Sequence, residues 1–157
     1  MFLTAAQLHA LAPFGATIRF TDGTPKPPAR FNKKLAEWQR NNGLGQFVEK
    51  KDADTYQARF SLLVVDESHF KVSKSFGVAE NDALRFEVVR LPAPFVVLED
   101  VSSIAPGWIK LKSGTAETLD QAEALMQRHW DASKTYPLSL RGVTRDVRCA
   151  LTETPAA

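Results

Sequence analysis

The sequence predicts an α+β fold, a central and mainly antiparallel β-sheet flanked by two or three α-helices. Two observations predict it. Runs that alternate apolar and polar residues fill the middle of the chain, while segments near its two ends repeat their apolar residues at helical spacing. The strands also follow one another without long helices between them, and a parallel crossover needs about a dozen residues or more.

Thr4 opens the first helix, over Thr4 to Leu11, because Gln7 stands three residues on as a capping box requires and Leu8 and Leu11 follow at helical spacing. Pro13 ends it. Ala16, Ile18 and Phe20 then alternate with Thr17 and Arg19 as a strand with one buried face, closed by a turn at Asp22-Gly23 that could begin a hairpin. Pro25, Pro27 and Pro28 make Thr24 to Ala29 a stiff extended loop. Over Arg30 to Asn41, Phe31, Leu35 and Trp38 recur at spacings of four and three, which predicts an amphipathic helix whose apolar stripe faces the sheet. Asn42-Gly43 supplies its C-terminal cap, with Gly43 in the left-handed conformation.

Strands are expected next at Gly45 to Lys50, at Thr55 to Val65 and at His69 to Phe76. Turns at Lys51 to Asp54 and at Asp66 to Ser68 would join them, the second forming a hairpin. Phe60, Leu62 and Val64 share one face, as do Phe70, Val72 and Phe76. Leu84 to Leu91 and Phe95 to Val101 follow, and Pro92-Ala93-Pro94 between them belongs at a sheet margin or outside the sheet. In a strand over Gly107 to Lys112, Ile109 and Leu111 form the buried face and Trp108, Lys110 and Lys112 the other. Thr118 with Gln121 opens a last helix from Leu119 to about Asp131, its stripe being Leu119, Ala122, Leu125, Met126 and Trp130. Leu138 to Leu151 reads as strand broken at Gly142, and residues 152–157 as a frayed tail. Trp38, Phe60, Leu62, Phe86, Val97 and Met126 are expected in the core.

A chain of 157 residues with 44% hydrophobic and 24% charged side chains suits a single globular domain over residues 1–157. Cys149 is the only cysteine, so neither an intramolecular disulfide nor a thiolate metal site is expected, which favours a reducing, cytoplasmic setting. The amino-terminal segment lacks the basic opening of a secretion signal, and Gln7 and His9 interrupt its apolar run. No stretch approaches the roughly 20 apolar residues of a membrane span, so no membrane partner is expected.

Motifs of catalysis are sparse. Gly43-Leu44-Gly45 has no third glycine at phosphate-loop spacing, so a cap and turn is the expectation there. His9, His69 and His129 lie too far apart for a compact metal motif, and neither a metal nor another cofactor is implied. Asp66 and Glu67 beside His69, and Asp131 near His129, are ordinary neighbours in a charged chain. Cys149 sits among alternating apolar positions like a small hydrophobe, and Glu117, Asp120 and Glu123 favour the start of the last helix.

Charge is distributed unevenly. Between Lys26 and Lys51 seven basic residues face only Glu37 and Glu49, a local +5 in a chain whose net charge is +2 and whose remainder is therefore −3. Lys26, Arg30, Lys33, Lys34 and Arg40 form a basic loop-helix segment suited to phosphates, and Trp108, Lys110 and Lys112 form a second patch with an aromatic among lysines. The expected function is binding without catalysis, through nucleic acid or through a protein partner as an interaction or inhibitory module. An enzyme whose site is assembled from dispersed histidines and acids is the third alternative.

Overall fold

The computed structural model describes residues 1–53, 57–65, 69–80, 83–101, 107–133 and 144–149. It is an α+β fold in which helices α1 (Ala5–Leu11), α2 (Asn32–Asn41) and α3 (Leu119–Ser133) flank one sheet. The sheet contains, among the described residues, β1 (Thr17–Thr21), β2 (Gly43–Lys51), β3 (Arg59–Val65), β4 (Lys71–Gly77), β5 (Arg85–Arg90), β6 (Phe95–Asp100), β7 (Ile109–Ala116) and β8 (Thr144–Cys149). Every pairing is antiparallel.

The sheet forks at β2. One edge of β2 pairs with β3, and β3 with β4. The other edge is shared: Gly43 to Gln46 pair with β1, which continues to β5, whereas Glu49 and Lys50 pair with β7, which continues to β6 and β8. A register shift between Phe47 and Glu49 in the β2–β3 ladder marks the division, as a bulge does where a strand changes course.

Alternation along the first five strands aims one phenylalanine from each into a common core. Phe20, Phe47, Phe60, Phe76 and Phe86 are buried there, together with Phe14 from the segment before β1. Phe60 lies at the centre, its ring centroid 5.9, 5.3 and 5.4 Å from those of Phe47, Phe76 and Phe86. β4 and β5 are the outermost of these five strands, so in a flat sheet they would stand about 19 Å apart. Their rings Phe76 and Phe86 meet at 5.4 Å, which requires the leaf to curl around the cluster. The amino-terminal segment completes this core with Leu3, Ala5 and Leu8, and Leu3 bridges to Phe86. Thr4 and Gln7 form the expected capping box of α1.

β6 is covered on both faces: Val96 and Leu98 enter the phenylalanine core, while Val97 packs with Ala116 and Ala122 beneath α3. Ile109 and Leu111 pack against the first core, as the alternation of β7 predicts. The proline connection lies outside the strands.

Several local expectations are corrected. Asp22-Gly23 starts no hairpin, because β1 pairs with β2 only after the excursion through α2. Gly43 is the first residue of β2 and no left-handed cap; a Cβ there would stand 2.8 Å from the Phe20 ring, so close approach is what glycine permits. Trp38 and Met126 are half-buried, since α2 buries no residue and Met126 lies at the edge of the smaller core. Phe70 and Val72 are exposed because β4 runs past the end of the core, and Leu119 is exposed in the first turn of α3. β3 begins at Arg59, whereas residues 54–56, 66–68 and 138–143 and the tail from 150 lie outside the described residues. Among the described residues no helix is long and apolar enough to cross a membrane.

Candidate binding surface

Between β1 and β2 the chain leaves the sheet as an arm, residues 22–42, whose two ends are tied together. Asp22 opens it with a turn in which its Oδ1 accepts from the Thr24 amide at 2.9 Å and the Thr24 hydroxyl at 2.5 Å. Gly23 between them has φ of 79°, the left-handed region where a side chain would be strained. The prolines carry the backbone to α2, and the Phe31 amide donates to the Pro28 carbonyl at 3.0 Å.

Asn42 closes the arm. Its Oδ1 accepts from the Thr21 hydroxyl at 2.5 Å and the Asp22 amide at 3.3 Å, and its Nδ2 donates to Asp22 Oδ1 at 2.9 Å and the Trp38 carbonyl at 3.0 Å. All four hydrogen-bonding positions of the amide are thereby occupied in a residue 5% exposed. The Trp38 indole donates to the Thr24 carbonyl at 2.8 Å, fixing the ring across the base of the arm. The Thr24 hydroxyl, followed by the Asn42 amide and the Thr24 backbone, holds the Asp22 carboxyl far below the usual carboxylate range. Lys74 on β4 donates to the Arg40 carbonyl, a cation at the end of α2 where the helix dipole favours one. Its ammonium lies 4.6 Å from the Phe20 ring, and burial lowers its pKa.

Lys26, Arg30, Lys33, Lys34 and Arg40 are all exposed on this arm, and none makes an ion pair among the described residues. α2 has neither a side-chain cap nor an acid in its first turn, so its own sequence supplies no anion to its N-terminal amides. Lys26 lies 5.8 Å from the Trp38 ring, and Arg30 and Lys34 lie 4.9 and 5.6 Å from that of Phe31. Beneath Trp38 runs a groove of about 630 Å³ with Phe20, Leu44, Val64 and Val65 in its walls.

The second patch differs. Trp108 donates to Glu49 Oε1 at 2.5 Å, Lys110 Nζ stands 3.9 Å from the same oxygen, and Lys110 lies 4.0 Å from the Trp108 ring. Glu49 thus answers both the indole and the lysine, while the Lys112 side chain lies outside the described residues. The two patches are not brought together: the arm enters β2 at Gly43 and Lys110 pairs with Glu49, six residues or about 20 Å along the strand.

His9 Nε2 donates to the Lys51 carbonyl at 3.1 Å and stands 3.6 Å from Asp52, yet no histidine lines this groove or two smaller clefts of about 220 and 310 Å³. His69 is exposed with φ of 63°, and the His129 and Cys149 side chains lie outside the described residues. No group of three His, Cys, Asp or Glu is placed to hold a metal among the described residues. Glu117, Asp120 and Glu123 are exposed.

A family model matches residues 3–129, from the segment before α1 into α3. The chain belongs to that family, Uncharacterised conserved protein UCP036055. The matched span contains the arm, the groove and the Trp108 patch. Neither a curated protein nor a solved structure matches the chain.

The sequence located the cations but not what holds them. Asp22, Asn42 and Lys74 were missed as a set because each acts on a partner distant in sequence; only Asp22-Gly23-Thr24 carries a local signal, that of a side-chain-capped turn.

Proposed function

We propose that this protein binds the phosphate backbone of nucleic acid through the arm that contains α2. The observation that carries the reading is the set of five exposed cations, Lys26, Arg30, Lys33, Lys34 and Arg40, unanswered by any carboxylate among the described residues. Nucleic acid carries a condensed atmosphere of cations, and lysines and arginines free to neutralise its phosphates release those counterions on binding. The ties at Asn42 and Lys74 support the reading further, because an arm already fixed at both ends loses less entropy when it is held by a ligand.

The test is fluorescence anisotropy of labelled oligonucleotides against salt from about 50 to 200 mM. Affinity is expected to fall with salt and to vary little with sequence. Replacing Lys33, Lys34 and Arg40 together by glutamine should flatten the slope of log affinity against log salt by roughly 0.7–0.9 for each phosphate that is no longer neutralised. Undetectable binding at low salt, or binding indifferent to the triple substitution, rejects the reading. A protein partner is the second reading, favoured by Leu44, Val65, Phe70 and Val72, each at least half exposed near the β3–β4 end of the sheet. On that reading, truncating one of these apolar residues costs more affinity than removing a cation.

A further inference from the structure

We infer that the arm and its groove form a stacking site for the bases of single-stranded nucleic acid, an inference that rests on the phosphate-binding reading and narrows it. The arm couples rings to cations. Phe31 keeps 42% of its surface exposed with Arg30 and Lys34 beside it, and Trp38 has Lys26 beside it. A ligand that matches this pattern presents a flat apolar face and an anion within a few ångströms of each other. A nucleotide does so, and a base paired within a duplex does not, because its faces are already stacked.

Phe31 stands at the N-cap of α2 and Trp38 seven residues on, so the two are about 10 Å apart along the helix axis. Trp38 is the better-prepared platform, since its indole N–H is held by the Thr24 carbonyl and the ring forms a wall of the 630 Å³ groove. The groove falls within the range of about 300–1,000 Å³ usual for small-ligand sites, and Phe20, Leu44 and Val64 make it apolar. Its most buried polar group, Asn42, has no hydrogen-bonding position left. A base held by its π-face needs nothing from that amide, whereas an extended peptide would have to find its backbone partners elsewhere along the groove. Recognition through the π-face predicts tolerance of base identity, because every base has one.

The experiment uses the full chain with four probes at one low salt concentration: a 16-nucleotide thymidine strand, a duplex of equal length, a strand of abasic sites with the same phosphates, and a peptide of alternating Glu and Phe. Tryptophan fluorescence and anisotropy are read together. The thymidine strand should bind about tenfold tighter than the duplex or the abasic strand and should quench tryptophan. Phe31→Ala, a change at an exposed ring, should remove about fivefold for thymidine and leave the abasic strand unchanged; Trp38→Leu should abolish the quench. Equal affinity for thymidine, abasic and duplex probes, with Phe31→Ala silent, overturns the stacking inference and leaves phosphate binding standing. Absence of binding to all three nucleic acids overturns both. Quenching by the peptide with none by thymidine assigns the groove to an acidic, apolar protein segment and overturns the inference as well.

Discussion

Asn42→Asp exchanges one amide nitrogen for oxygen at constant volume, and the structure fixes what that does. The donors to Asp22 Oδ1 at 2.9 Å and to the Trp38 carbonyl at 3.0 Å both disappear. A hydrogen bond to a charged group contributes about 1.5–3 kcal/mol and one to a neutral group about 1 kcal/mol. Two carboxylates then face each other, a repulsion of up to about 4 kcal/mol at 4 Å under near-surface screening. Asp22 is half-exposed and can swing toward water, so most of that repulsion relaxes and about 3 kcal/mol is the expected net loss. The loss acts first on the arm. Exchange of the Trp38 indole proton, protected by the Thr24 carbonyl, should therefore accelerate by roughly a hundredfold at pH 7, since about 1.4 kcal/mol is a factor of ten.

The pH dependence has a definite sign. In the native protein Asp22 has a depressed pKa, so its contribution is fully present above the unfolded value near 3.9 and is lost as pH falls toward the folded one. In the variant the facing carboxyls share a proton in acid, which restores one donor and removes the repulsion. The deficit should accordingly be largest at neutral pH and shrink in acid, by urea denaturation and by indole exchange. A deficit below about 1 kcal/mol at pH 7, or one that grows in acid, refutes the account of Asn42 as the closure of the arm.

Phe60→Ala should cost about 4–5 kcal/mol by urea denaturation, because Phe60 is fully buried against three rings, while Phe70→Ala, 71% exposed, should cost less than about 0.5 kcal/mol. Similar losses for the two would contradict the core. Gly43→Ala should destabilise by about 1–3 kcal/mol by forcing the Phe20 ring aside, and a neutral result would show that the ring yields freely. Glu49→Gln should leave oligonucleotide affinity within about twofold at 150 mM salt, since its charge lies about 20 Å from the arm along β2 and the screening length is about 8 Å. A larger change would mean that both patches contact one ligand.

The core was legible in the sequence because period-two alternation fixes which side chains share a face, and Ile18, Phe20, Phe60 and Leu62 are buried as that rule requires. It does not fix where a face stops being covered. Phe70 and Val72 continue the alternation beyond the core, and the stripe Phe31, Leu35 and Trp38 has helical spacing on a helix that buries nothing. Asn42-Gly43 has the composition of a helix cap, but Phe20 pressing on Gly43 and the four partners of Asn42 are contacts made after folding. The cations of the arm were plain in the sequence for the opposite reason. An exposed charge needs no partner to be recognised, whereas Glu49, which answers Trp108, lies 59 residues away.

The fork at β2 divides the chain in sequence as well as in space. β1 to β5, with α1, α2 and the whole arm, end at Arg90, and the strands that join the other half of β2 begin at Phe95. Residues 91–94 therefore connect two stretches that meet again through the β2–β7 ladder, through the contacts of Trp108 and Lys110 with Glu49, and through Val96, Leu98, Ile109 and Leu111 at the phenylalanine core. A break in that connection severs no strand. Two separately produced pieces, split within Pro92-Ala93-Pro94, have what they need to reassociate by strand pairing, and attaching reporter halves to them would turn the integrity of β2 into a signal readable in a living cell.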